Sequence, residues 1–385
     1  MKKVLSFFLV FSLLMISAFS SFADIYIEDE PASLGVDITA ESAVLMEANT
    51  GTVLYSKNME YYNSPASVTK VMTLLLVCEA LERGEFKLDD IVSISEYSSS
   101  MGGSQVFLEA GEKFTVEELI KCTVIASAND AAVALAELVC GSEAAFAARM
   151  NERAGELGLT KTSFENVTGL DDDTINHYSC AYDIAIMSCE LIKYNVIRKY
   201  SSLWQDTIRD GEFTLTNTNR LVRYYDGCTG LKTGSTDKAG YCISVTASRG
   251  DMDLICVVMN APSVKDRNND ARALLDLGFY GFGTYKVDLS SFDTVRVNRG
   301  KQETVSTILE DNKIVLPKSD ISRIKKVYKI NEDLNAPIKK GDIIGKLELY
   351  VGEELLREVN VYAAHDVEKI TILDIYLSIL SKAVG

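Results

Sequence analysis

The chain has 385 residues, with 39 Lys and Arg against 55 Asp and Glu, eight cysteines and two histidines. His177 and His365 lie far apart with no HExxH, which leaves a zinc centre almost no ligands, and a net charge of −16 makes the protein as a whole a poor partner for nucleic acid. An apolar share of 47% and a charged share of 24% fit an ordered protein of two or three domains rather than a disordered one.

Residues 1–23 begin with Lys2 and Lys3, run apolar from Val4 to Ile16, and end in Ser21-Phe22-Ala23, with small residues where signal peptidase reads them. This is the pattern of a cleaved secretory signal; an uncleaved anchor would have a longer apolar run. Cleavage leaves 37 basic against 55 acidic residues, a net charge of −18.

From Glu41 to Lys57, the apolar strands SAVLMEA and TVLYS flank Asn49-Thr50-Gly51 and predict a hairpin with glycine at its turn. A helix follows from Ser67 to near Arg83, uninterrupted by Gly or Pro and so apolar that it must be buried on most sides. Two more helices, from Thr115 to Ile125 and from Asp130 to Val139, bracket the polar Ser127-Ala128-Asn129, and a fourth runs from about Ser142 to Leu157. Near Asp226 the pattern turns to strands: CTGLKTGST, then GYCISVTASR, a turn at Gly250-Asp251, and DLICVVMNA. A helix from Asp266 to Leu277 is expected to stop at Gly278. This order predicts an α+β domain, an antiparallel sheet with helices on its faces and a separate helical lobe.

All eight cysteines precede residue 257, there is no CxxC, and Cys78, Cys122, Cys140 and Cys256 sit in apolar runs, so mostly free, buried thiols are expected. After Gly283 the segments DTVRV, ETVSTIL, KIVLP, RIKKVYKI, GKLELYVG and REVNVYA predict a small all-β sandwich domain. The resulting division is 1–23 signal, 24–285 first domain, 286–364 β domain and 365–385 tail. In the tail, Ile372, Leu373, Tyr376, Ile379, Leu380 and Ala383 form one helical stripe, too short to span a bilayer. Such an amphipathic helix either lies on a membrane surface or packs on the β domain.

Three short motifs occur in order: Ser67-Val68-Thr69-Lys70, Ser127-Ala128-Asn129 and Lys232-Thr233-Gly234. Each alone is weak, since SxxK arises by chance about once in a chain this long. The β-rich region indeed holds Ser322-Arg323-Ile324-Lys325, and Ser56-Lys57-Asn58 imitates the second motif. Context separates them. The i, i+3 spacing puts Lys70 one turn from Ser67 on the same face of a buried helix, where a desolvated lysine beside a second cation can act as a base toward a hydroxyl. The bland alternatives are an N-cap serine and a solvated lysine. Ser127 and Asn129 fall in a break between helices and could simply cap them. Lys232-Thr233-Gly234 offers a cation, a hydroxyl and a bare backbone on a strand, which suits a substrate carboxylate and a peptide laid along a strand edge.

With these motifs in order, the sequence resembles the serine D-alanyl-D-alanine carboxypeptidases, the low-molecular-weight penicillin-binding proteins. NSPASVTKVMT, the GGSQVFLEAGE run, ASANDAA, NVTGLDDD followed by HYS, and DGCTGLKTGSTDKAGYC carry the resemblance over about residues 38–283. It implies a β-lactamase/transpeptidase-like catalytic domain, and the β domain and tail helix fit the usual layout of that branch. By the same resemblance, Ser67 is the acylated nucleophile, Lys70 its general base and Ser127 a proton relay. Asn129 binds the substrate amide; Lys232, Thr233 and Arg267 hold its carboxylate. The backbone N–H groups of Ser67 and Ser235 form the oxyanion hole beside Gly234. Ser235 departs from members that carry His at this point.

The expected partners are peptidoglycan stem peptides and β-lactam inhibitors, with no metal or cofactor, outside the cytoplasm at the cell wall or outer membrane face. The rivals are a class A type β-lactamase, for which Glu165-Asn166-Val167-Thr168-Gly169 lacks the ExxLN pattern; a non-catalytic wall-binding scaffold; and a Ser-His-Asp hydrolase using His177, for which there is no GxSxG.

Overall fold

The computed structural model describes residues 35–384 apart from 288, 290, 291, 293, 310–312 and 332; the signal-like segment 1–23 therefore lies outside the described residues. The predicted hairpin forms from Ser42–Glu47 and Val53–Lys57, with Gly51 at φ 68° in the turn. Its register is pinned by the buried Glu47 carboxylate, which accepts from the Asn49 and Thr50 backbone amides.

These two strands join Met252–Ala261, Gly240–Arg249 and Cys228–Thr236 in a five-stranded sheet. Its spatial order runs from Val53–Lys57 through Ser42–Glu47, Met252–Ala261 and Gly240–Arg249 to Cys228–Thr236, with every pairing antiparallel. The period-two alternation of a strand divides the core. Ala43 and Leu45 face the long helix Val264–Gly281, while Val44 and Met46 face the helical lobe.

At the centre of that lobe is Lys70–Glu82, preceded by a 3-10 turn, Ala66–Thr69. Ser67 thus belongs to this tighter turn and not to the first turn of the α-helix, as the sequence suggested. Around it lie Val116–Ile125, Asn129–Cys140, Glu143–Glu156 and a helix that no predicted element covered, Ala181–Leu191. The last is apolar on nearly every side, so its periodicity is weak; its burial between the Lys70–Glu82 helix and the sheet explains the pattern. The Val116–Ile125 helix begins with a full capping box, Thr115 and Glu118.

The expected stop at Gly278 is not observed, because the helix continues to Gly281. Gly278 is buried against the sheet, and a Cβ there would come within 2.5 Å of Leu254 Cδ1. It permits close helix–sheet approach rather than ending the helix. All eight cysteines are free, with Cys140 and Cys228 half-buried and the other six buried.

All six predicted β segments of the C-terminal region form strands, Thr294–Arg296, Thr304–Leu309, Lys313–Pro317, Ile324–Ile330, Ile343–Val351 and Glu354–Ala363. Lys313–Pro317 pairs with Phe282–Lys286, and the other five make a second antiparallel sheet over a separate core. The stray SxxK motif lies here with both Ser322 and Lys325 exposed. Ile372–Val384 is helical, and Ile372, Leu373, Tyr376, Ile379 and Leu380 of the expected stripe are exposed, as are Ile375 and Leu377. Among the described residues no single helix is long and apolar enough to cross a membrane.

One buried carboxylate ties the 102–112 loop to the lobe: Asp130 accepts from the Val106 and Leu108 amides, each at 3.1 Å. Asp130→Ala strands both amides in a dry interior, at a cost on the order of 1–3 kcal/mol for each. Urea unfolding at neutral pH should show that loss with an unchanged m-value.

Candidate active site

The polypeptide enters the site through a strained turn. Ala66 has φ 46°, in the left-handed region, and Ala66, Val68 and Thr69 are buried while Ser67 is half-buried and faces the cleft. The bend presents one hydroxyl to solvent from an otherwise closed element. Lys70 Nζ lies 3.0 Å from Ser67 Oγ, the i, i+3 meeting expected from the spacing.

Lys70 is fully buried and has two further partners, Asn129 Oδ1 at 2.6 Å and the Thr168 carbonyl at 2.8 Å. Burial, and then the charge of Lys232, hold its pKa well below the ordinary lysine value. A neutral amine has two N–H bonds and one lone pair. Ser67 Oγ, Asn129 Oδ1 and the Thr168 carbonyl all lie within hydrogen-bond distance of Nζ; once the amine gives up a proton, the two carbonyl oxygens can hold its two N–H bonds and leave the lone pair for the Ser67 hydroxyl. The solvated-lysine reading is thereby removed, and the site has a base oriented at a nucleophile.

The second and third motifs meet across the cleft. Lys232 Nζ donates to Ser127 Oγ at 2.6 Å, and both groups are buried. Burial, followed by repulsion from Arg267, lowers the Lys232 pKa to about 7. Ser127 has φ 62° just before the Asn129–Cys140 helix, and its side chain bonds Lys232 instead of capping the helix. Asn129 donates from Nδ2 to the Gly102 carbonyl, which orients its amide oxygen toward Lys70. Gly234 explains the bare backbone: a Cβ would sit 2.7 Å from Ser67 N and 2.9 Å from Val68 N, so only glycine lets this strand abut the turn. That abutment brings the strand carrying Ser235 against the Ser67 turn, and both residues line one cleft.

A cleft of about 620 Å³ is lined by Ser67, Ser127, Thr233, Gly234, Ser235 and Arg267 among others. Arg267 is mostly buried, and desolvation lowers its pKa to about 10, with Arg220 adding to the repulsion. Lys232, Arg267 and Arg220 therefore make a cationic pocket in an acidic protein. Such a pocket suits an anionic end group next to a serine hydroxyl.

Several contributors carried no sequence signal. Thr168 acts through a backbone carbonyl, which no side-chain motif marks. Thr218, whose hydroxyl is 2.8 Å from that of Thr233, and Trp204, Arg220 and Tyr224 line the cleft from a segment without a recognisable spacing.

The loop that supplies Thr168 is fastened to the nucleophile turn. Gly169, at φ 81°, lies so close that a Cβ would be 1.8 Å from the Ala66 carbonyl oxygen. His177 is buried and accepts from the Glu165 amide at Nδ1, which leaves its proton on Nε2, 2.8 Å from Thr69 Oγ1. Burial pushes its pKa down to about 4. A Ser-His-Asp arrangement is therefore not what the fold builds, since His177 bonds Thr69 and not Ser67. Glu165 is exposed and accepts from the Ile175 amide, so it is not placed to activate water at Ser67.

Comparison with known proteins shows the family. The family model described as D-alanyl-D-alanine carboxypeptidase matches residues 27–263, and that of the penicillin-binding protein 5 C-terminal domain matches 286–369. D-alanyl-D-alanine carboxypeptidase DacF of Bacillus subtilis is 43% identical over 377 residues, covering 96% of this chain and 95% of its own. The structure of penicillin binding protein 5 from Haemophilus influenzae is similar with a TM-score of 0.79 at 32% identity, covering 87% of this chain and 99% of that one. Penicillin-binding protein D2 from Listeria monocytogenes, solved in an ampicillin-bound form, matches with a TM-score of 0.58 at 31% identity, over 63% of this chain and 99% of its own. The chain belongs to the D-alanyl-D-alanine carboxypeptidase family, the low-molecular-weight penicillin-binding proteins.

Proposed function

We propose that this serine D-alanyl-D-alanine carboxypeptidase removes the terminal D-alanine of peptidoglycan stem pentapeptides through an ester on Ser67. The observation that carries the reading is the buried Lys70 amine, its pKa held well below the ordinary lysine value, 3.0 Å from the Ser67 hydroxyl. Lys70 takes the Ser67 proton as Oγ attacks the penultimate D-alanine carbonyl, and the Ser67 and Ser235 amides stabilise the oxyanion. Ser127 passes a proton to the leaving nitrogen, the C–N bond breaks, and free D-alanine departs. Water then cleaves the ester and restores Ser67. Lys232, Thr233 and Arg267 bind the substrate's terminal carboxylate, and Asn129 contacts its amide. A β-lactam ring opens on Ser67 by the same attack, but its leaving nitrogen stays tethered, which explains inhibition by penicillins.

In this reading residues 1–23 direct export and the enzyme trims wall peptides outside the cytoplasm, a role in wall biogenesis and cell shape. The exposed apolar residues of Ile372–Val384 lie against the outer face of the cytoplasmic membrane. Deletion of 372–385 should abolish co-sedimentation with phospholipid vesicles while leaving pentapeptide turnover in solution unchanged.

Incubation with benzylpenicillin followed by peptide mass analysis should place the adduct on Ser67. Ser67→Ala should lose D-alanine release by at least about 1,000-fold with its melting temperature preserved. Release at the wild-type rate would refute the nucleophile. The pH profile tests the base. Because Lys70 works only when neutral, acylation should rise as pH climbs through its lowered pKa. Lys232→Gln removes a like charge that disfavours protonated Lys70, so the Lys70 pKa rises and the ascending limb moves to higher pH.

A further inference from the structure

The reading above accounts for Lys70's bond to the Thr168 carbonyl but not for what holds that carbonyl in place. The contacts that fasten its loop beside the nucleophile include the close approach of Gly169 to Ala66, the Thr73 hydroxyl on the Val167 carbonyl, the Ser64 hydroxyl on Asp171, and the His177 imidazole. The imidazole bridges the two ends of the site's frame. At one end it accepts from the Glu165 amide, three residues before Thr168; at the other it donates to Thr69, which lies between Ser67 and Lys70 in the sequence. Phe164 packs edge-on against the ring, with centroids 5.8 Å apart, and closes the pocket around it.

We propose that His177 is a positioning residue for acylation, a fixed strap that holds the Thr168 carbonyl on Lys70 and so keeps the amine's lone pair on Ser67. The strap needs one ring nitrogen to accept and the other to donate, which only the neutral imidazole provides. The ionisable groups acting on the ring are Glu165 and Asp171, which favour its charge, and Lys238, which opposes it; burial outweighs them and keeps the ring neutral across the working range. His177 touches neither Ser67 nor Lys70, so its effect passes through the loop and the turn. Loss of the strap frees the Lys70 amine to rotate away from Ser67, and misplacement of a reacting group on the scale of 1 Å slows a reaction by about 100-fold. The cleft-lining groups that receive substrate are untouched.

The inference rests on Ser67 and Lys70 acting as proposed, and the test separates the two. With benzylpenicillin in stopped flow, the full-length wild type, His177→Leu, Thr69→Val, the double variant and His177→Gln are compared for the acylation rate constant and for the preceding non-covalent affinity. His177→Leu and Thr69→Val each break the same strap from opposite ends. Each should lower the acylation rate constant by about 10- to 100-fold with affinity held within about twofold, and the double variant should fall no further. His177→Gln, whose amide can both accept and donate, should recover most of the rate. Thr69→Val is isosteric and keeps the test usable if the leucine variant does not fold. A wild-type acylation rate in Thr69→Val, or losses that multiply in the double variant, would overturn the strap while leaving the Ser67 adduct intact. Absence of a Ser67 adduct in the wild type would instead overturn the reading beneath it.

Discussion

The structure depends on burying one lysine in a dry core. Desolvating an ammonium group is costly, and the full burial of Lys70 shifts its equilibrium toward the uncharged amine. The fold supplies both halves of that condition. The apolar Lys70–Glu82 helix removes water, and Lys232 on the facing strand adds a like charge. Two carbonyl oxygens and the Ser67 hydroxyl surround the amine, so that on losing its proton it can keep both carbonyl bonds and turn its lone pair to Ser67.

Other features serve this arrangement. Gly234 and Gly169 are sites of close approach, one bringing the strand and the other bringing the loop onto the Ser67 turn. Asp130 fixes the 102–112 loop, whose Gly102 carbonyl orients Asn129. The left-handed conformations of Ala66 and Ser127 sit at the two hydroxyls of the site, where surrounding packing overcomes local backbone preference. The cationic pocket is local: Lys232, Arg267 and Arg220 meet there although the chain is acidic overall, which favours an anionic ligand end without making the surface sticky to anions generally.

Much of this was legible in the residues because it rests on local rules. The hairpin, four of the lobe helices, the three central strands and the six strands of the C-terminal region follow from turn residues, caps and periodicity. The three motifs were legible through context: Lys70 lies in a run too apolar for a solvated charge, whereas the lysine of the stray SxxK is exposed. What escaped had physical reasons. Ala181–Leu191 is buried on nearly every side and so loses its periodic signature, and Gly278 reads as a stop although its role is set by a strand remote in sequence. Thr168 contributes only a carbonyl. His177 was readable as a candidate base, but only the fold shows that it bonds Thr69 and the Glu165 amide.

The central claim is the protonation state of Lys70, and it can be measured without substrate. Site-resolved NMR titration of the Lys70 side chain, assigned by comparison with Lys70→Arg, should show the amine titrating well below the ordinary lysine range. It should carry no proton in excess of its two N–H bonds at the pH of maximal acylation. A Lys70 signal that stays protonated through that pH and titrates with the surface lysines would contradict the account.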